Sequence, residues 1–299
     1  MVSATALWTA LGASVQGASH EIHGQRNQDA VRVKNPHGAN DFLLLAVADG
    51  HGSARSFRSE RGSALAAECA LRELGGMVRK LGPDAPLSRV RRQAMTRWPK
   101  AIVRAWKNAV RDDLRAQPFS LLEFAAFPER PPVVKPGEDL PGIAFLAYGA
   151  TLITVAITRR YIIYSQLGDG DIMAVKSNGS VTRPLPKQHE FQSNQTASLC
   201  TGNASHLFQV KVEPCRAGEP ALITLSTDGY ANCFGDEEGF FTVGADLLAY
   251  LRSRGIAFVN EHLQEWLRES SRDGSGDDIT VGLAARANAL PASSRVGIS

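Results

Sequence analysis

Five aspartates have the flanking residues needed to do chemistry. Asp29 follows Asn27-Gln28, and Asp49 lies in Val47-Ala48-Asp49-Gly50-His51-Gly52. Asp169 lies in Gly168-Asp169-Gly170, Asp228 in Ser226-Thr227-Asp228-Gly229, and Asp277 in Gly276-Asp277-Asp278-Ile279-Thr280. Three of the five follow an apolar, strand-like run and precede a glycine. A carboxylate is thereby set at a strand end, where a sharp turn lets backbone and side chain share one small volume. Carboxylates gathered from distant segments repel one another unless a cation sits among them. An all-oxygen donor set suits Mg²⁺ or Mn²⁺ and lacks the Cys or His sets that mark zinc or copper. Two such ions close together can hold a bridging water, lower its pKa and orient it for in-line attack on a phosphoryl group. Asp49, with the Gly50 carbonyl beside it, fits the place of a carboxylate shared by both ions.

The composition bounds the setting. A chain of 299 residues, 43% of them hydrophobic, can bury a full core, and a formal charge of +3 gives no licence for nucleic-acid binding. Arg89, Arg91, Arg92, Arg97, Lys100, Arg104, Lys107 and Arg111 cluster on a segment that reads as the solvated face of an amphipathic helix. Cys69, Cys200, Cys215 and Cys233 show no CxxC spacing, which fits a reducing compartment. No basic leader and no apolar run of membrane-spanning length is present, so a soluble, cytoplasmic protein is expected, with no membrane partner.

The elements that must position the aspartates follow from the pattern. Strands are expected at Ala6–Val15, Ala30–Lys34 and Phe42–Ala48, and helices at Ser53–Lys80 and about Leu87–Arg115. Trp98 and Trp106 should lie on the apolar side of the second helix, and Pro99 should start or kink it. Ala116–Gly142 is proline-rich and reads as a surface excursion, and Lys187–Ser205 as a mobile flap or long loop. Gly149–Thr158, Tyr161–Leu167 and Ile172–Lys176 read as successive antiparallel strands, with a hairpin at Asn178-Gly179. Strands at Leu207–Val212 and Ala221–Ser226, helices near Phe240–Arg254 and Phe258–Glu269, and a strand at Ile279–Ala284 complete the chain. Both halves supply carboxylates, so they should pack as one domain over residues 1–286, with 287–299 a frayed tail.

Taken in order, Asn27-Gln28-Asp29, Asp49-Gly50-His51-Gly52, Tyr148-Gly149-Ala150-Thr151, Gly168-Asp169-Gly170, Ser226-Thr227-Asp228-Gly229 and Gly276-Asp277-Asp278 resemble the metal-dependent Ser/Thr protein phosphatases of type 2C. The bacterial branch is the nearest match, over about residues 6–285. The resemblance implies an α+β fold, a four-layer α-β-β-α sandwich of two antiparallel sheets flanked by helices, with two Mn²⁺ or Mg²⁺ ions between the sheets. It implies that Asp49 bridges the ions, Gly50 lends its carbonyl, and Asp228 and Asp277 hold the first ion. Asp29 becomes a near ligand or holds a metal-bound water, and Asp169 serves a weaker third ion. His51 takes the place of the general acid for the leaving serine or threonine oxygen. The implied partners are a phosphorylated protein substrate and a cognate Ser/Thr kinase, and the protein is expected to act as a monomer.

Four positions depart from that pattern. Gln28 replaces the usual Glu at the second ion, bringing an amide oxygen without charge. Gly24 replaces the phosphate-gripping arginine, leaving Arg26, His20 or His23 to serve, with Arg26 and His20 the chosen candidates. Asn232 replaces an aspartate associated with the third ion, and Asp278 replaces an asparagine and is expected to orient its loop. Gln28 and Gly24 keep a rival reading open, a phosphatase-fold scaffold without turnover. An aspartyl-phosphate mechanism would need an acidic residue two positions before Asp49, where Val47 stands.

Overall fold

The computed structural model describes residues 7–36, 42–82, 84–125, 142–187, 196–216 and 219–291. The order is β1 (Trp8–Val15), α1 (Ala18–Ile22), β2 (Ala30–Lys34), β3 (Leu43–Ala48), α2 (Ser59–Leu81), α3 (Leu87–Thr96), α4 (Trp98–Ala116), α5 (Leu121–Ala125) and α6 (Gly142–Leu146). There follow β4 (Leu152–Ile157), β5 (Tyr161–Leu167), β6 (Asp171–Val175), β7 (Val181–Thr182), α7 (Ala204–Leu207), β8 (Gln209–Pro214), β9 (Leu222–Ser226), α8 (Asp228–Ala231), α9 (Glu237–Asp273) and β10 (Ile279–Arg286). Two five-stranded antiparallel sheets run β1-β10-β9-β6-β7 and β2-β3-β4-β5-β8.

Strand periodicity sorts the apolar residues into layers. Leu43, Leu45 and Val47 of β3 meet Ile153 and Val155 of β4 and Ile223 and Leu225 of β9 in the core between the sheets. Leu44, Ala46 and Ala48 point the other way, into a second core with α2, α3 and α4. The residues of β1, β9 and β10 that face outward pack on α9. A strand buried on both faces has no polar side, which is why β3 reads as a continuous apolar run. The result is the expected α+β, four-layer α-β-β-α sandwich. Among the described residues no helix is long and apolar enough to cross a membrane.

The helical layer is seated by specific contacts. Trp98 and Trp106 are buried, and their indole N–H groups donate to Ser165 Oγ (2.8 Å) and the Gly62 carbonyl (3.0 Å). Gly62 lets α2 lie directly on the backbone of Tyr148: a Cβ there would overlap the Tyr148 carbonyl oxygen and stand 2.6 Å from its carbon. Neither partner is a side chain able to swing aside. Gly62→Ala should therefore cost about 3 kcal/mol, to be read from the urea midpoint at unchanged m-value.

Several boundaries differ from expectation. Residues 53–58 form turns, and α2 begins at Ser59. The long helix divides at Arg97, with Pro99 in the first turn of α4, where a missing N–H costs nothing. The turn after β5 does not make a hairpin. Gly168 takes φ +107°, and the chain crosses to the other sheet, so that β6 pairs with β9 and not with β5. Within the supposed flap, part of 196–205 is packed: Ala197, Ser198, Leu199 and Ala204 are buried, and Leu199 N–H donates to the Ala150 carbonyl (2.9 Å). The described ends of the proline-rich excursion form α5 and α6. Residues 126–141 and 188–195, parts of those two segments, lie outside the described residues. Residues 287–290 of the expected tail are ordered. A 3₁₀ turn at Ala287–Ala289 follows β10, and Ala289 and Leu290 are buried against the α9 layer, while 292–299 lie outside the described residues.

Candidate metal centre

One end of the sandwich collects the carboxylates. Asp49 follows β3, Asp169 lies in the crossing between β5 and β6, Asp228 opens α8 after β9, and Asp277 precedes β10. Antiparallel pairing forces this convergence. Val47 pairs with Ile153, Leu152 with Leu167, and Ser226 with both Asp171 and Val281, so these strand ends share one edge. Beyond the regular ladder, Gly50 bridges Ala150, Thr151 N–H donates to the Asp49 carbonyl (2.8 Å), and Asp49 N–H donates to Thr151 Oγ1 (3.1 Å). The Asp49 backbone is thus locked from both sides. His51 N–H donates to the Gly149 carbonyl (3.1 Å), which explains the Tyr148-Gly149-Ala150-Thr151 motif as the frame for Asp49 and His51.

A cavity of about 260 Å³ opens here, lined by His20, Gln28, Asp49, Gly50, His51, Asp169, Asp228 and Asp277 among others. Carboxylate oxygens of Asp49, Asp169 and Asp228 lie within 4.8 Å of one another. Burial pushes the Asp49 carboxyl well up, and the charges of Asp29 and Asp228 push it further. Asp228 is raised by burial and then by Asp169. Asp29 is raised well above the usual range by burial, against the hydrogen bond from Thr227. These shifts mark sites where carboxylates cannot all be ionised unless positive charge joins them. With an all-oxygen donor set, the residues fit a hard divalent cation. His51 is pushed down by burial, partly countered by Asp169.

The aspartates differ in how closely they gather. Asp169, expected at an optional third ion, stands inside the tight triad, and its Oδ2 accepts from Thr196 Oγ1 (2.8 Å). Asp277, expected in the core, lines the cavity but is half-exposed, and its Oδ1 accepts from Asp278 N–H (2.8 Å). The crossing between sheets carries Asp169 inward, whereas Asp277 sits in the loop entering β10. Asp29 does not line the cavity. Its Oδ2 accepts from Thr227 Oγ1 (2.8 Å), behind the wall, from where its charge still reaches Asp49.

Asp278 ties the site together. It accepts from Gly17 N–H (2.7 Å) and Gln28 N–H (2.6 Å) and lies 2.9 Å from His20 Nδ1. That is the loop-orienting part expected of it. His20 Nε2 lies 3.7 Å from Asp277 Oδ1, and the buried Nδ1 makes no hydrogen bond among the described residues. Asn232 Nδ2 donates to Asp228 Oδ2 (3.3 Å). His23 is exposed and set against the Ser19 carbonyl (2.7 Å).

Arg26 does not reach this cavity. It is 81% exposed, pairs with Glu60 (2.9 Å) and lines a neighbouring cavity. Chain proximity alone suggested it for phosphate, and the side chain leaves on the opposite side of Gln28. Among the described residues no Arg or Lys lines the carboxylate cavity. Thr196 was not legible beforehand, because its polar segment carries no motif, while Thr151 and Thr227 stood within motifs as unassigned members.

Known proteins place the arrangement. The catalytic domain of the serine/threonine protein phosphatase PstP, solved with 2 manganese ions, superposes with a TM-score of 0.54 at 18% identity, covering 94% of this chain and 99% of that one. PstP/Ppp of Mycobacterium tuberculosis gives 0.53 at 15% identity, covering 93% and 98%. Stp1 of Staphylococcus aureus gives 0.56 at 13%, covering 95% and 97%. At such identities the likeness is one of fold. No curated protein sequence matches the chain. The model of the family Protein phosphatase 2C matches residues 16–268. That span takes in Asp29, Asp49, Asp169 and Asp228, the framing motif at 148–151, all of the sheet β2-β3-β4-β5-β8 and strands β6, β7 and β9 of the other, and on it the chain belongs to the protein phosphatase 2C family.

Proposed function

We propose that the chain is a Mn²⁺- or Mg²⁺-dependent protein phosphatase that hydrolyses phosphoserine and phosphothreonine monoesters, with residues 1–286 as its catalytic domain. The observation that carries this reading is the Asp49–Asp169–Asp228 cluster, in which burial and neighbouring negative charge push the Asp49 and Asp228 carboxyls up. Asp49, Asp169, Asp228 and Asp277 would hold the ions, with the Gly50 carbonyl and Gln28 amide beside them. Bound there, the ions supply charge neutralisation, Lewis-acid polarisation of the phosphoryl group and an acidified water. His51, anchored through its backbone to Gly149, donates a proton to the departing serine or threonine oxygen. Asp29 holds Thr227, and Asp278 holds the Gly17 and Gln28 backbone beside the opening. A cognate Ser/Thr kinase as the source of the phosphate, monomeric action and a cytoplasmic setting complete the reading; the four free cysteines suit such a setting.

Phosphate release from a phosphoserine peptide should require Mn²⁺ or Mg²⁺ and stop on chelation. Turnover that persists in excess chelator would overturn the metal dependence. One feature favours the rival scaffold reading, the lack of any described Arg or Lys in the carboxylate cavity. Metal binding with no turnover of any phosphopeptide would establish it. Gln28→Glu should tighten Mn²⁺ binding, on the order of tenfold, by adding a charged donor. Calorimetric titration reads this directly, and an unchanged affinity would remove residue 28 from the metal site.

A further inference from the structure

A second cavity, of about 310 Å³, adjoins the first and is lined by Gln25, Arg26, Gln28, Phe57, Ser59 and Glu60. Gln28 lines both, so the two spaces meet at this residue. Ser59 is 1% exposed, and its Oγ has no hydrogen-bond partner among the described residues. A buried hydroxyl left unpaired beside a polar cavity is a group prepared for something that enters it. The Phe57 ring is fixed edge-on against Phe119, with centroids 5.4 Å apart. Glu60 is partly buried, and its partner Arg26 reaches it along an arm that is 81% exposed. Such a surface pair is weak and readily exchanged.

The buried or packed walls are therefore a carboxylate, a hydroxyl, amide groups and an aromatic ring, while the one cation among the described lining residues, Arg26, is largely exposed. Those walls match an ammonium or guanidinium group, which pairs with a carboxylate and stacks on an aromatic face. An anion entering the same space would meet Glu60. We infer that the second cavity is a specificity subsite that takes a lysine or arginine side chain of the phosphoprotein, close in sequence to the phosphorylated residue. Glu60 is its counter-ion, Phe57 its stacking face and Ser59 Oγ an added acceptor. Arg26 occupies Glu60 in the absence of substrate and is displaced to solvent by the incoming cation. This deepens the phosphatase reading and rests on it. A residue advances an extended chain by about 3.3 Å, so the cation should lie within about three positions of the phosphoserine.

The test uses the full chain with Mn²⁺ and phosphoserine peptides of neutral sequence, with a single arginine moved through the three positions on each side. At one or two positions kcat/KM should rise about five- to tenfold over the all-neutral peptide, chiefly through KM. Glu60→Gln should bring that ratio to within about twofold of unity, whereas Arg26→Ala should raise it by removing the competitor. No preference at any position, or a preference that survives Glu60→Gln, would overturn the subsite. A many-fold loss with the neutral peptide in Arg26→Ala would return Arg26 to the phosphate and overturn its displacement. Should Glu60→Gln not fold, Ser59→Ala should keep its melting temperature and lose part of the preference. Should no peptide be turned over, the phosphatase reading fails separately. Fluorescence anisotropy of the same labelled peptides then decides: tighter binding of the arginine peptide, abolished in Glu60→Gln, supports the subsite, and equal binding overturns it.

Discussion

Asp49→Asn is expected to lower Mn²⁺-dependent hydrolysis of a phosphoserine peptide by about a thousandfold and, in the same protein, to raise the melting temperature of the metal-free form. The two effects have one origin. Asp49 sits where burial and the charges of Asp29 and Asp228 disfavour its ionised form. The fold keeps a carboxylate there at the expense of stability, as functional sites commonly do. The amide has nearly the same shape and removes the charge, so the metal-free cluster relaxes, with about 2–4 °C of melting temperature gained per kcal/mol released. It also removes the donor placed between the other carboxylates, and metal ions supply several kcal/mol of transition-state charge stabilisation, each 1.36 kcal/mol being tenfold in rate. Saturating Mn²⁺ should stabilise the wild type by mass action and the variant far less. A variant that melts lower than wild type without metal would show that Asp49 is structural, and full activity would remove it from the centre.

Arg58→Met should destabilise the protein by about 3 kcal/mol, the low end of the range for stripping one partner from a buried ion pair, because the Glu123 side chain keeps 26% of its exposure. The Arg58 side chain is 7% exposed. Its five N–H groups are all used: Nε and Nη2 on the two Glu123 oxygens (2.6 and 3.0 Å), Nη1 on the Gln117 carbonyl (2.7 Å) and Tyr148 Oη (2.8 Å), and Nη2 also on the Pro118 carbonyl (3.1 Å). The guanidinium also lies over the Phe119 ring at 4.7 Å. One residue thus clamps the segment after α4, α5 and Tyr148, the start of the motif that frames Asp49 and His51. Arg58 N–H donates to the Ala147 carbonyl (2.8 Å) as well, so the loop after Gly52 is tied both to that motif and to the residue before it.

The loss of this clamp should carry a pH signature. Hydrogen bonding from Arg58 is the first cause holding the Glu123 carboxyl down to about 2 from its ordinary 4.5. A depressed carboxyl stabilises the fold fully above its unfolded pKa, and that stabilisation drains away as pH falls through the folded value. Melting temperatures of wild type and Arg58→Met should therefore lie furthest apart above pH 4.5 and converge as the pH approaches 2. A constant gap across that window would show that Arg58 acts through packing alone.

Neither effect of Arg58 was legible in the sequence. It reads there as one more polar residue at the head of a helix, because its partners lie 59 to 90 positions away. Asp49, by contrast, announces itself through an apolar strand, a glycine and a histidine. The same contrast separates Asp169 from Asp277. Both stand in Gly-Asp turns, yet only the crossing of the chain from β5 in one sheet to β6 in the other brings Asp169 within reach of Asp49 and Asp228. Arg26 shows the opposite error, since nearness along the chain said nothing of the side of Gln28 on which its guanidinium would lie.

What the sequence determined by itself is local. Residue periodicity placed β2 and β5 to the residue and marked strands buried on both faces, glycines marked the turns, and the carboxylate types set the class of cation. These follow from rules that act within a few residues. Only the tertiary structure decided which sheet each strand joins, which three aspartates close to within 4.8 Å, that Asp278 holds the loop, and that a second cavity with an unpaired Ser59 lies beside the first. Those outcomes depend on burial and on charge at short range, and both are set by distances in space that residue spacing along the chain does not contain.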